Sequence, residues 1–131
     1  MTACDAALAI NPNYPEALWS KGHALELQQQ PQAALELYEQ SIALKSDFVP
    51  AWNNKGTALY QLNLSGEALV ALDKAVNLDP NFAEAWSNRG AVLWGLGRFA
   101  EAAASVDRAL QLQPDDPIAR SLRDQMRQMG Y

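Results

Sequence analysis

The stretch AWNNKGTALY, Ala51 to Tyr60, returns as AWSNRGAVLW, Ala85 to Trp94. The two lie 34 residues apart and share Ala, Trp, Asn and Gly at matched places, with a basic residue before each Gly. A third copy, ALWSKGHALE, begins at Ala17, again 34 residues earlier. The same step links Gly22, Gly56 and Gly90, then Leu25, Leu59 and Leu93, then Ala34, Ala68 and Ala102. Self-similarity at a fixed period of about 20–50 residues marks stacked repeats, in which each unit buries its apolar face against its neighbours. Some of the repeated residues must hold the stack, which leaves the others to face a partner.

Breakers divide each copy in two. Asn11 and Pro12, Asp79 and Pro80, and Gln113 and Pro114 each close an apolar periodic run, where proline cannot continue a helix. Ser46 holds that place in the first full copy. Shorter breaks fall at 29–31, 63–65 and 97–98. Apolar residues between the breaks follow helical spacing, and no useful length alternates with period two. Helix pairs are predicted near 15–28 and 32–44, 49–62 and 66–78, and 83–96 and 99–112, with a short helix near 3–10 and a last one near 116–129.

The whole chain narrows the function classes. Its 131 residues fit one domain, and 49% hydrophobic residues suffice for a core. A formal charge of −5 argues against nucleic acid, which needs a basic stripe. The lone Cys4 excludes an intrachain disulfide, and no Cys/His cluster suggests a metal. No apolar run reaches the roughly 18 residues of a membrane span. No signal-peptide pattern opens the chain, so a cytoplasmic location is expected. His23 is the one histidine, with Glu26 three residues on. That pair reads as groove polarity rather than a general base, so neither an enzyme nor a cofactor is expected.

The 34-residue helix–turn–helix, with its Trp–x–x–x–Gly start, mid-repeat Ala and terminal Pro, resembles the tetratricopeptide repeat. Trp86, Gly90, Leu93, Gly97, Phe99, Ala102, Ala109 and Pro114 carry the resemblance in the last copy. The middle copy carries it at Trp52, Gly56, Leu59, Ala68, Leu72, Ala75 and Pro80. The first departs, with Leu18 for Trp, Ser41 for the late Ala and Ser46 for Pro. The resemblance implies an all-α, right-handed α-solenoid. The expected organisation over 1–131 is a truncated repeat at 1–14, full repeats at 15–48, 49–82 and 83–116, and a capping helix at 117–131. CDAALAINP, Cys4 to Pro12, aligns with LDKAVNLDP, Leu72 to Pro80, so the chain is expected to start inside an array. Ile118, Leu122, Met126 and Met129 are expected to pack the last helix back on the stack, leaving its other side polar.

On a wheel of about 100° per residue, Trp52, Lys55 and Leu59 share one side with each other, as do Trp86, Arg89 and Leu93. The resemblance implies that the opposite side lines a concave groove. The candidate binding residues there are Trp19, Ser20, His23, Asn53, Asn54, Thr57, Tyr60, Glu84, Ser87, Asn88 and Trp94. Asn54 and Asn88 are expected to hold peptide backbone, since an amide offers both donors and an acceptor. Trp52 and Trp86 are read as core, Trp19 and Trp94 as groove. Related cochaperone domains grip a C-terminal carboxylate with Lys, Asn and Arg on this face. The matching positions here are Trp19, His23, Asn54, Glu84 and Asn88, and only Asn54 fits.

A protein-interaction module is therefore expected, taking an extended peptide or partner helix that is neutral or basic rather than a C-terminal carboxylate motif. The alternative is a structural or self-association segment of a longer array. Apolar surface at the truncated N-terminal end is expected to favour a homodimer at high concentration.

Overall fold

A computed structural model describes residues 14–131, and all of its regular structure is helical. The helices are α1 Pro15–Leu27, α2 Pro31–Leu44, α3 Val49–Gln61, α4 Ser65–Leu78, α5 Ala83–Gly95, α6 Phe99–Leu112 and α7 Pro117–Gln128. Each end falls within one residue of its predicted place. The helix predicted at 3–10, with its half-repeat and its end of the stack, lies outside the described residues.

Local chemistry explains the boundaries. Pro15, Pro31, Pro50 and Pro117 sit in first turns, where no intrahelical bond is lost. Asp116 caps α7 by accepting the Ala119 N–H at 3.0 Å. The turn inside each repeat is the same structure made three times. Gln29, Asn63 and Gly97 take left-handed φ of 61°, 65° and 77°. The next amide, of Gln30, Leu64 or Arg98, then donates to the carbonyl of Leu25, Leu59 or Leu93 at 2.9 Å. This satisfies a helix-end carbonyl that would otherwise lack a partner.

The repeated glycine is a notch for the second helix. A Cβ on Gly22 would stand 2.6 Å from Tyr38 Cε1, one on Gly56 2.6 Å from Leu72 Cγ, and one on Gly90 2.7 Å from Val106 Cγ2. Tyr38, Leu72 and Val106 are themselves one period apart and fully buried. Knob and notch thus fix how closely the two helices of a repeat approach.

The helices stack in two layers. The first helices of successive repeats, α1, α3 and α5, touch one another, and α7 continues the row. The second helices, α2, α4 and α6, touch only first helices and α7, never each other. A layer in contact and a layer splayed apart give a curved stack with the first helices on the inner side. Arg89 binds Asp73 at 2.7 Å, Arg123 approaches Asp107 at 3.3 Å and Lys55 stands 4.0 Å from Glu39. These pairs repeat with the 34-residue step in both partners, so each joint between repeats carries an ion pair. The Lys55 ammonium and the Arg89 guanidinium also lie over the rings of Trp52 and Trp86, at 5.3 and 5.8 Å from the ring centres, so the repeated basic head meets both an indole face and a carboxylate.

Candidate functional site

The inner side of the first-helix layer is held by a chain of polar side chains that crosses every repeat. Asn88 on α5 donates from Nδ2 to Asn53 Oδ1 on α3 at 3.0 Å. Asn53 donates to Asn54 Oδ1 at 3.2 Å. Asn54 Nδ2 then donates to Tyr38 Oη at 3.3 Å and lies 3.2 Å from His23 Nδ1 on α1. Tyr38 donates from its hydroxyl to Glu26 Oε1 at 2.5 Å. The other Glu26 oxygen accepts from Thr57 at 2.7 Å and from Gln61 at 3.3 Å. One carboxylate therefore ties α1 to both α2 and α3. The three first helices are locked side to side before any ligand arrives.

The structure sorts the predicted groove residues. His23, Tyr60 and Glu84 are exposed, and Trp19, Ser20, Thr57, Asn88 and Trp94 are partly open. Asn53, Asn54 and Ser87, placed on the open face by the helical wheel, are enclosed instead, at 0, 6 and 1% exposure. The reason is that first helices touch their neighbours, so residues on the flank of the wheel meet the next repeat rather than solvent. Ser87 turns back to donate to its own helix, at Glu84 O. Asn54 and Asn88 are thus unequal members of one hydrogen-bonded chain. His23 and Glu26 do not act as a local pair either, since each reaches α3.

The aromatic residues divide in a way the wheel only half foresaw. Trp52 and Trp86 pack beside the core and donate their indole N–H to Ser46 O and Pro80 O, both at 2.8 Å. Trp94 is partly open on the groove side, with Phe99 and Tyr131 packed against it at 4.8 and 6.5 Å between ring centres. Trp19 stacks on His23 and meets Phe48 edge-on, and its indole nitrogen is buried without a partner among the described residues. Tyr60 reaches across to α5, where the absent side chain of Gly95 makes room: a Cβ there would stand 3.0 Å from its hydroxyl.

Tyr38 is the residue that sequence reasoning missed. Its signal was present, because it occupies the knob position that Leu72 and Val106 fill with hydrocarbon. A hydroxyl brought there by the stack must find partners inside it. Burial raises its pKa far above the ordinary 10.0, and the bond to Glu26 pushes the same way. The unfolded chain therefore loses this proton before the folded chain does. Its contribution to stability is whole below pH 10 and declines as pH rises beyond it. A spectrophotometric titration should show one tyrosine that ionises only as helicity is lost. Its ionisation in a fully helical chain would place the hydroxyl in solvent.

Helix–turn–helix units stacked at a 34-residue period, with a polar chain along one side, define a helical repeat scaffold. The chain belongs to the tetratricopeptide repeat family, whose model matches residues 2–47 and 53–117. No curated protein matches the sequence. Among solved structures it is similar to the TPR domain of Arabidopsis OM64, at 27% identity and a TM-score of 0.84, over 88% of this chain and 95% of that one. The first TPR domain of human RPAP3 is 24% identical with a TM-score of 0.85, over 90% of this chain and 93% of its own. The first TPR of Spaghetti (RPAP3), bound to the HSP90 peptide SRMEEVD, is 23% identical with a TM-score of 0.83, over 88% and 91%. Among the described residues no helix is long and apolar enough to cross a membrane.

Proposed function

We propose that the inner face binds an extended peptide or a partner helix that is neutral or basic, with His23, Tyr60 and the open edges of Trp19, Thr57, Asn88 and Trp94 as the contact surface. The observation that carries this reading is the polar chain from Asn88 to His23 and Glu26, which fixes the surface in advance. A preformed face spares a ligand the cost of ordering its receptor. Ligand charge follows from the side chains present. The Spaghetti domain holds a peptide ending in EEVD. Here the positions compared with a carboxylate grip are Trp19, His23, Asn54, Glu84 and Asn88, which bring a carboxylate and no lysine or arginine.

Two measurements test the reading. Labelled SRMEEVD should bind no better than about millimolar in fluorescence anisotropy. Peptides selected from a random display library on the intact chain should include neutral or basic sequences whose affinity falls about tenfold on His23→Ala with Tyr60→Ala, with helicity unchanged. Micromolar binding of SRMEEVD, or a library in which no peptide is weakened by the double substitution, would overturn it.

A further inference from the structure

The splay of the second helices leaves a groove on the outer side, between α2 and α4 and above α3. It is a cavity of about 510 Å³. Leu35, Trp52, Leu59 and Ala71 line it, and Leu64 and Val70 stand at its edge, 43 and 68% exposed. Leu64 is apolar where the other copies are polar, and Val70 is larger than its apolar counterpart. The step of 34 puts Gln30 and Arg98 at the place of Leu64, and Glu36 and Ala104 at the place of Val70.

One repeat later, the corresponding charges are satisfied from within. Arg98 grips both oxygens of Glu101, at 2.9 and 2.7 Å. Arg89 binds Asp73 at 2.7 Å and also donates to Ser105. At the groove, Glu67 holds the place of Glu101, with Leu64 where that repeat has Arg98. Glu67 makes no hydrogen bond or ion pair among the described residues, while Lys55, which also lines the groove, pairs with Glu39 at 4.0 Å. The groove thus joins exposed hydrocarbon to a carboxylate that has no ion pair among the described residues. The chain itself shows, at Arg98, the geometry with which a cation fills that place.

We propose that this outer groove docks a partner segment that carries a large apolar side chain beside an arginine or lysine. The apolar group lies between Leu64 and Val70, and the cation takes Glu67 as Arg98 takes Glu101. Burying apolar surface supplies the attraction, and the paired carboxylate sets the sign of the partner's charge. The site is separate from the inner face, so either can fail alone.

The test repeats the display selection on the chain carrying His23→Ala and Tyr60→Ala, which disables the inner face. Selected peptides should carry Arg or Lys next to Leu, Ile, Phe or Trp. Their affinity should fall about tenfold on Leu64→Arg with Val70→Ala, residues that the next repeat already tolerates at these places. Glu67→Lys should have a similar effect, and exchanging the peptide's cation for Glu should restore binding to that variant. The proposal is overturned if no peptide is selected, if binding ignores these substitutions, or if charge exchange restores nothing. It is equally overturned if sedimentation shows a dimer that Leu64→Arg with Val70→Ala dissolves, because the occupant would then be a second copy.

Discussion

Replacing Trp86 with alanine is expected to lower the free energy of unfolding by about 3 kcal/mol, the lower end of the range for removing a large aromatic. The lower end applies because the ring is only partly buried. With Val49, Trp52 and Phe82 it covers the small cluster of Ala75, Val76 and Ala85, where α4 meets α5. Arg89 lies against its face as well, 5.8 Å from the ring centre, so its loss loosens the stem that leads to Asp73. Trp86→Phe separates the contributions. It keeps most of the hydrocarbon and loses the N–H bond to Pro80 O, for an expected cost of about 1 kcal/mol. Urea titration followed by helical circular dichroism measures both. A loss below about 1 kcal/mol for the alanine variant would show that the joint between the second and third repeats closes without the indole.

Removing Tyr38 should cost still more, about 3–5 kcal/mol for Tyr38→Ala. The ring is fully buried, and the notch at Gly22 has nothing else to fill it. The hydroxyl also stands between Asn54 and Glu26, so truncation leaves an empty space and breaks the chain of bonds that spans the inner face. Tyr38→Phe keeps the shape and removes the bonds, and about 1–2 kcal/mol is expected. The phenylalanine variant should also unlock the first helices, visible as faster amide exchange in α1 and α3. Thermal unfolding that separates the alanine and phenylalanine variants by less than about 1 kcal/mol would assign the effect to the hydroxyl rather than to the packing.

The sequence made the helices legible because Gly and Ala recur in all three copies at one step, joined by Trp and Pro in the last two, and so report the period directly. It made the candidate site less legible. A wheel drawn for one helix cannot show that its neighbour lies close enough to cover a flank, which is why Asn53, Asn54 and Ser87 proved to be enclosed. Nor does it show that Tyr131 folds back on Trp94, a contact between distant parts of the chain. The ion pairs were within reach. Glu39, Asp73 and Asp107 keep the step of 34, and so do Lys55, Arg89 and Arg123. Charge read at the repeat period, rather than residue by residue, exposes that ladder.

The turn inside each repeat gives the molecule a direction. Gln29, Asn63 and Gly97 adopt one left-handed geometry, but an ordinary side chain resists it by about 1–2 kcal/mol, asparagine less and glycine hardly at all. Strain therefore declines from the first repeat to the third. The first repeat also ends at Ser46, where its successors have Pro80 and Pro114. In a stack whose units lean only on their neighbours, such a gradient decides where opening begins. The described chain should unzip from α1 and α2 toward α7, so that a ligand held along the inner face is let go at its His23 end first and peeled away rather than released at once.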